Sequence, residues 1–392
     1  MRGVFLFLAL SLAVPATAAD LIPCGGRFSD FLRNVERQAR ADGFDRNLVR
    51  RFLSNAALDS KVLAADQAQG IFRWDFLTFS GRVISDYRMR FGTQYARDFD
   101  PLFDRIEREL GVSRGILLAF WALETDFGQV QGDFNTLNAL LTLSHDCRRP
   151  ELFQPQVFAA LELYKRGEFD PATTTGAWAG EIGMVQMLPG DILENGIDGD
   201  GDGHVLLKSS IPDALMSGAG MLRSFGWKRG EPWLVEVTVP DNLDWSLSGE
   251  HQQLNVEDWE RLGLRARSGT LPLKKAQASL LLPMGHKGPA FLGYHNFHTL
   301  FEWNQSFTYV MTAAYFASRL EGAPMVDPRN PDPGLGAEDM MSLQRRLQQR
   351  GHDVGKIDGI LGAGTRTAVR AEQGRLGLPV DGWPTPSLLR AL

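Results

Sequence analysis

The chain is short of three things. It has only 2 cysteines in 392 residues, too few for a disulfide-dense scaffold or a thiolate metal cluster. It has no surplus of positive charge. Its 41 Lys and Arg face 47 Asp and Glu, for a net charge of −6, which removes the electrostatic case for nucleic acid as a partner. It also has no apolar run comfortably long enough to cross a bilayer. The best one, Val4 to Val14, is broken only by Ser11. It follows Arg2 and precedes Ala16-Thr17-Ala18. A charged start, a short apolar stretch and a small-x-small close predict a secretory signal over residues 1–19. Cys24 raises the alternative of a lipid anchor. Pro23 stands where a lipid-attachment signal wants a small residue, so the reading is a cleaved, soluble, exported protein. In an oxidising compartment Cys24 and Cys147 are expected to pair, the alternative being two free thiols.

What remains is ordinary for a globular protein: 44% hydrophobic and 22% charged residues, with length for two or more domains. The 9 Trp and 24 Phe are mostly core, but flat rings also suit a sugar-binding cleft. Residues 28–110 read as almost wholly helical, with Ser29, Asp45 and Asp59 as caps, a helical pattern over Phe72–Arg90, and Asp100-Pro101 opening a further helix. More helices fit Leu152–Tyr164, Pro212–Phe225, Asn255–Leu262 and, capped by Ser306, a long one to Leu320. Strand signals are few: Leu234–Val239, and a hairpin of Ser279–Leu282 with Phe291–Tyr294. The fold class is mainly α with a small β insertion. Residues 323–337 form a Pro-rich linker. Beyond it, 338–392 carries an imperfect repeat with helices from Glu338, Thr365 and Pro386 and two Asp-Gly turns, at Asp358 and Asp381.

Ser113 to Gly128 is the stretch with the clearest chemistry. Ser113 suits an N-cap and Gly128 a helix stop, and Ile116–Leu123 is apolar on every face, as a fully buried helix requires. Glu124 sits at its end among Phe120, Trp121 and Phe127. Apolar surroundings and the negative end of the helix dipole both disfavour the anion, so Glu124 is expected to hold a proton, as a general acid must. Asp126, two residues on, is expected to face elsewhere on the helix. A glycine-rich loop, Gly176–Pro189, carries Trp178, Glu181, Met184 and Gln186. Its glycines permit close backbone approach to a ligand, and Gln186 both donates and accepts. Separately, Asp198, Asp200 and Asp202 with Gly203 match the opening of an EF-hand loop, and His204 would offer its carbonyl. Position twelve is Ser209 rather than Glu, so a weak calcium site is expected.

These stretches resemble the B-type lytic murein transglycosylases of glycoside hydrolase family 103. Trp121–Gly128, Gly180–Pro189 and Phe297–Tyr309 carry the likeness, over about residues 25 to 320 in the expected order. The resemblance implies a lysozyme-like catalytic domain, 20–322, enlarged by extra helices. It implies peptidoglycan glycan strands as substrate, Glu124 as acid and then base, and Met184, Gln186, Trp178, Asn304 and Tyr309 as substrate contacts. It also places an acidic calcium ligand at Asp213. The sequence departs from the family at Ala177, where a Ser is usual, at Trp303, where Tyr is common and a stacking ring would be kept, and at Glu181, where a small residue is usual. Glu181 reads as an exposed side chain or as an auxiliary carboxylate, the former expected. Residues 338–392 resemble a type 1 peptidoglycan-binding module of three helices, implying a tether to the wall. No catalytic cofactor is expected, and calcium would be structural. A periplasmic monomer is expected, with other cell-wall enzymes as the protein partners this implies. The rival readings are a water-using muramidase of the lysozyme kind and a non-catalytic wall-binding protein.

Overall fold

Polar caps start most helices where the sequence puts them. Asp45 accepts the N–H groups of Asn47 and Leu48 at the head of Arg46–Phe52, and Asp59 accepts from Lys61 at 2.9 Å before Ser60–Gln67. Ser306 caps Phe307–Leu320 through the N–H of Tyr309. The computed structural model describes residues 21–67 and 74–392; the expected signal at 1–19 lies outside them. The first helix, Phe28–Ala41, starts before Ser29, with Arg27 at the cap position and no side-chain cap. The pattern over Phe72–Arg90 resolves into two helices, Phe76–Val83 and Asp86–Asp98, its first residues falling outside the described range. Ile84 leaves the helical region there, and Arg88 caps the freed carbonyl of Val83 at 3.0 Å. No helix among the described residues is long and apolar enough to cross a membrane.

The chain forms two compact units. The first comprises, of the described residues, 21–67 and 99–225. Its centre is the helix Arg114–Thr125, buried from Gly115 to its end. Around it run helices Asp100–Glu109, Thr136–His145, Pro150–Arg166, Pro189–Asn195 and Ile211–Ser224, and a two-residue ladder pairs Phe134–Asn135 with Thr175–Gly176. The N-terminal segment is fastened by Cys24–Cys147, with Cα atoms 5.3 Å apart. Gln154 clamps Ile22 beside it, accepting its N–H and donating to its carbonyl, both at 2.8 Å.

The second unit comprises, of the described residues, 74–98 and 226–392. The β insertion is larger than expected: a five-stranded antiparallel sheet in the order Leu254–Asn255, Gln277–Leu281, Phe291–Gly293, Leu234–Thr238, Arg265–Ala266. The two edge strands are two residues each, too short to show alternation. The hairpin is in register, Ser279 opposite Gly293. Val256, Trp259, Leu264, Leu280 and Leu292 form its core, and Trp259 donates to the Ala278 carbonyl at 2.8 Å.

The C-terminal helices are Ala337–Gln349, Ala363–Arg375 and Pro386–Ala391. The internal repeat has a physical basis. Gln344 accepts the Gly359 N–H at 3.0 Å and donates to Asp358. Gln373 accepts the Gly382 N–H at 2.9 Å and donates to Asp381 at 2.7 Å. Each buried glutamine closes one Asp-Gly turn. Thr365 lies inside its helix rather than capping it, because the helix begins at Ala363 behind Gly362. The linker has no regular structure, as expected, but it is pinned: Arg329 donates to the Gly288 carbonyl at 3.0 Å, and Trp383 to that of Asp332 at 2.9 Å.

The disulfide spans 123 residues. On the chain-entropy account a loop of that length contributes about 4–5 kcal/mol. Replacing both cysteines with Ser should lower the melting temperature by several degrees, and a reductant should lower the wild type but not that variant.

Candidate active site

The Glu124 helix ends abruptly. Thr125 is its last residue, and Asp126 and Phe127 follow with φ of 52° and 62°, before Gly128 at 82°. Two consecutive non-glycine residues in the left-handed region cost of order 1–3 kcal/mol each. The turn persists because it is tied down: Asp126 donates to the Ala122 carbonyl at 3.0 Å and Phe127 to that of Trp121 at 3.1 Å. Asp126 is therefore off the helix altogether, not on another of its faces. Glu124 itself is 2% exposed.

Thr125, which sequence reasoning passed over, joins this end to the glycine-rich loop. Its hydroxyl donates to the Met184 carbonyl at 2.6 Å and accepts the Gly128 N–H at 2.9 Å. The loop is itself folded hard. Ala177 donates to the Glu181 carbonyl at 2.9 Å, and Ile182 and Met187 exchange bonds of 2.8 and 3.1 Å. Two glycines are sterically required. A Cβ on Gly176 would lie 1.9 Å from the Glu181 carbonyl oxygen, and one on Gly183, at φ 83°, would lie 2.5 Å from Leu207. Trp178 and Met184 reach the surface slightly, at 9% and 8% exposed.

Gln186 holds a left-handed backbone, φ 54°, and is buried. Its Nε2 donates to the Gly183 carbonyl at 2.7 Å, while its buried Oε1 meets no donor among the described residues. Gln131 shows the same state: Nε2 donates to the carbonyls of Gly128 and Lys208, both at 3.1 Å, and its buried Oε1 has no donor. Buried acceptors left open are rare without cause. A hydroxyl- and amide-rich ligand supplies such a cause. Gln131 was legible only as a polar residue in a turn between Gly128 and Gly132.

Glu181 corrects the expectation of an exposed side chain. It is 1% exposed and neither carboxyl oxygen meets a donor among the described residues. Burial, with a smaller contribution from the charge of Glu124, pushes its carboxyl up to about 8. The loop doubles back at the Ala177–Glu181 bond, which turns the side chain inward. Asp191, the other buried carboxyl of this segment, is raised to about 6, mainly by burial, and its side chain accepts the Leu188 N–H at 3.3 Å.

In the acidic loop, carboxylate oxygens of Asp198, Asp200 and Asp202 lie within 4.8 Å of one another. Hard oxygen donors suit calcium, which takes about six to eight of them, and these three carboxylates would supply part of that shell. Backbone N–H groups, that of Gly203 first, hold the Asp198 carboxyl below its ordinary value. His204 donates its N–H to Asp202 at 2.8 Å. Asp213 stands outside the cluster. Fully buried, it accepts the N–H groups of Gly199 at 2.8 Å and Leu206 at 2.7 Å, closing the loop from within.

Asn304 and Tyr309 belong to the second unit, and both are buried. Asn304 accepts the Ser306 N–H at 2.9 Å. Trp303, expected to offer a stacking surface, is 1% exposed and is core.

A buried helix ending in a carboxyl, bonded to a loop with open amide acceptors, in a mainly helical fold, defines a lysozyme-like enzyme that acts on glycans. The family profile described as Transglycosylase SLT domain matches residues 27–318, and one described as Putative peptidoglycan binding domain matches 336–392. The chain belongs to the lytic transglycosylase family. It is 34% identical to SltB3 from Pseudomonas aeruginosa, solved in complex with NAG-anhNAM-pentapeptide, at a TM-score of 0.86 over 94% of this chain and 99% of that one. It is 27% identical over 289 residues to the membrane-bound lytic murein transglycosylase B of Escherichia coli (strain K12), covering 71% of this chain and 78% of that protein. Slt35 from Escherichia coli, solved in complex with calcium, is 25% identical at a TM-score of 0.65 over 76% of this chain and 96% of that one.

The Glu181 shift has a definite sign. Unfolded, the carboxyl loses its proton near the ordinary 4.5; folded, it keeps it to about 8. Between these values the unfolded chain binds fewer protons, so stability falls as pH rises through the window. Glu181→Gln removes that penalty. Thermal melts should show the variant gaining on the wild type from about pH 4.5 to 8, with no gain below it. A constant difference at every pH would contradict the assignment.

Proposed function

We propose that the protein is an exported lytic transglycosylase that cleaves the bond between N-acetylmuramic acid and N-acetylglucosamine in peptidoglycan and leaves 1,6-anhydro ends. Glu124 protonates the bridging oxygen. As a carboxylate it then removes the proton of the muramyl 6-hydroxyl, which attacks the anomeric carbon. Trp178, Met184, Gln186 and Asn304 hold the glycan, with Gln131 added from its buried oxygen, while Tyr309, expected as a contact, is closed off like Trp303 and supports Asn304 from the core. Export through residues 1–19 to the periplasm, with the catalytic region at 20–322, the linker at 323–337 and wall binding by 338–392, completes the reading.

The observation that carries this is the state of Glu181. Ordinary glycosidases use a pair of carboxyls, the second ionised as base or nucleophile. Glu181 sits on the active-site loop, but its carboxyl keeps its proton to about 8. At neutral pH it does not serve as a base for water. One working carboxyl suffices when the nucleophile is the substrate's own hydroxyl. This favours the transglycosylase over the muramidase, and the open acceptors on Gln131 and Gln186 favour either enzyme over a non-catalytic binder.

Replacing Glu124 with Gln keeps size and removes the transferable proton. Digestion of purified sacculi should drop by a factor of about 100 or more, the scale of general acid catalysis, with the fold and sacculus binding retained. Unchanged digestion would overturn the assignment.

For the acidic loop we infer a structural calcium held by Asp198, Asp200 and Asp202, as the oxygen-only donor set and the calcium complex of Slt35 support. Bound, the ion would only neutralise and stiffen the loop. Chelation should lower the melting temperature, added calcium should restore it, and Asp200→Ala should abolish both effects.

A further inference from the structure

The C-terminal module is expected to tether the enzyme to the wall, but its contacts within the second unit go further. Its middle helix, Ala363–Arg375, lies against the β insertion. Arg370 donates to the carbonyls of Ser246 at 3.0 Å and Ser248 at 2.5 Å and to the Ser248 hydroxyl at 3.1 Å. Asp381, in the second Asp-Gly turn, accepts the His286 N–H at 3.0 Å and pairs with its Nδ1 at 2.6 Å. A Cβ on Gly285 would lie 2.8 Å from the Trp383 side chain and 2.9 Å from the Asp381 carboxylate, so the Gly285 backbone packs directly against both side chains.

One contact reaches further. The Arg366 guanidinium lies 4.7 Å from the centroid of the Phe307 ring, and its Nη2 donates to the Pro283 carbonyl at 3.3 Å. Its Nε is shut off from solvent; burial pushes the guanidinium down to about 10, and the charges of Glu250 and Asp381 offset part of that. Phe307, three residues after Asn304, opens the helix that carries Tyr309, and Asn304 ends the helix before it. A cation over a ring restrains it, and more strongly when the pair is shielded from water.

We infer that Arg366 is a positioning residue for the reaction. Through Phe307 and Pro283, the wall-binding module sets the Asn304–Tyr309 segment in its working position, and so serves catalysis as well as attachment. The inference rests on the reading above that this segment contacts glycan.

The test uses the full chain and a short soluble, peptide-free glycan, whose cleavage needs no tether. Arg366→Met should lower kcat on it roughly tenfold, a loss of about 1.4 kcal/mol of transition-state stabilisation. KM and co-sedimentation with sacculi should stay unchanged, and Arg366→Lys should fall between. If soluble-glycan kcat is unchanged while sacculus digestion falls, the module is a tether alone and the inference is wrong. Should Arg366→Met fail to fold, Arg370→Ala decides: a kcat loss with intact binding supports the role, and a wild-type kcat refutes it. Asn304→Ala, run alongside, separates the two claims. Full activity in that variant removes the glycan-contact reading and this inference with it, whereas a loss there with normal Arg366→Met kinetics refutes the inference alone.

Discussion

The hydrogen bond from Thr125 to the Met184 carbonyl, 2.6 Å long, is the constraint on which the catalytic arrangement depends. It ties the end of the most buried helix to the one loop whose glycines allow close packing. It works beside the bonds from Asp126 to Ala122 and from Phe127 to Trp121, which hold the left-handed turn, and it fixes that turn to the loop. The same contact places Met184 against Gly128 and Trp121, where a Cβ on Gly128 would lie 3.2 Å from the Met184 side chain. Strain in the turn and in Gln186 is thus offset by a packed, hydrogen-bonded junction, which is where stored backbone strain is expected.

Charge follows from this geometry. The loop that carries Met184 also turns Glu181 inward, where its carboxyl oxygens meet no side-chain donor among the described residues. A buried carboxyl with no partner stays neutral rather than ionised. The two glutamates differ by position alone: one at a helix end, the other folded into the loop's own interior. With its carboxyl raised to about 8, Glu181 is no anionic base in neutral conditions, and the chemistry proposed for Glu124 needs none, because the attacking hydroxyl is already on the substrate.

Much of this was legible in the residues. The apolar run Ile116–Leu123, the caps at Asp45, Asp59 and Ser306, the hairpin of Ser279–Leu282 with Phe291–Tyr294 and the Asp-Gly repeat each rest on local rules, and local rules read out locally. What was missed depends on partners distant in sequence. Glu181 looks solvent-facing because its neighbours are small, and only the Ala177 bond to its carbonyl turns it in. Asp213, expected as a metal ligand, also accepts the N–H groups of Gly199 and Leu206, bonds its sequence position does not announce. Trp303 looks like a stacking platform until the core closes over it. The edge strands at 254–255 and 265–266 are too short to carry any period. Residues 338–392 read as their own module, and their contacts to the rest of the second unit through Arg366, Arg370, Asp381 and Trp383 lie beyond any local rule.

The central claim is that one carboxyl acts twice and water never attacks. Digesting sacculi in water enriched in the heavy oxygen isotope, followed by mass spectrometry of the released muropeptides, tests it most directly. The account predicts 1,6-anhydro-muramyl ends that carry no heavy oxygen. Reducing muramyl ends that carry it would contradict the account and make the protein a hydrolase.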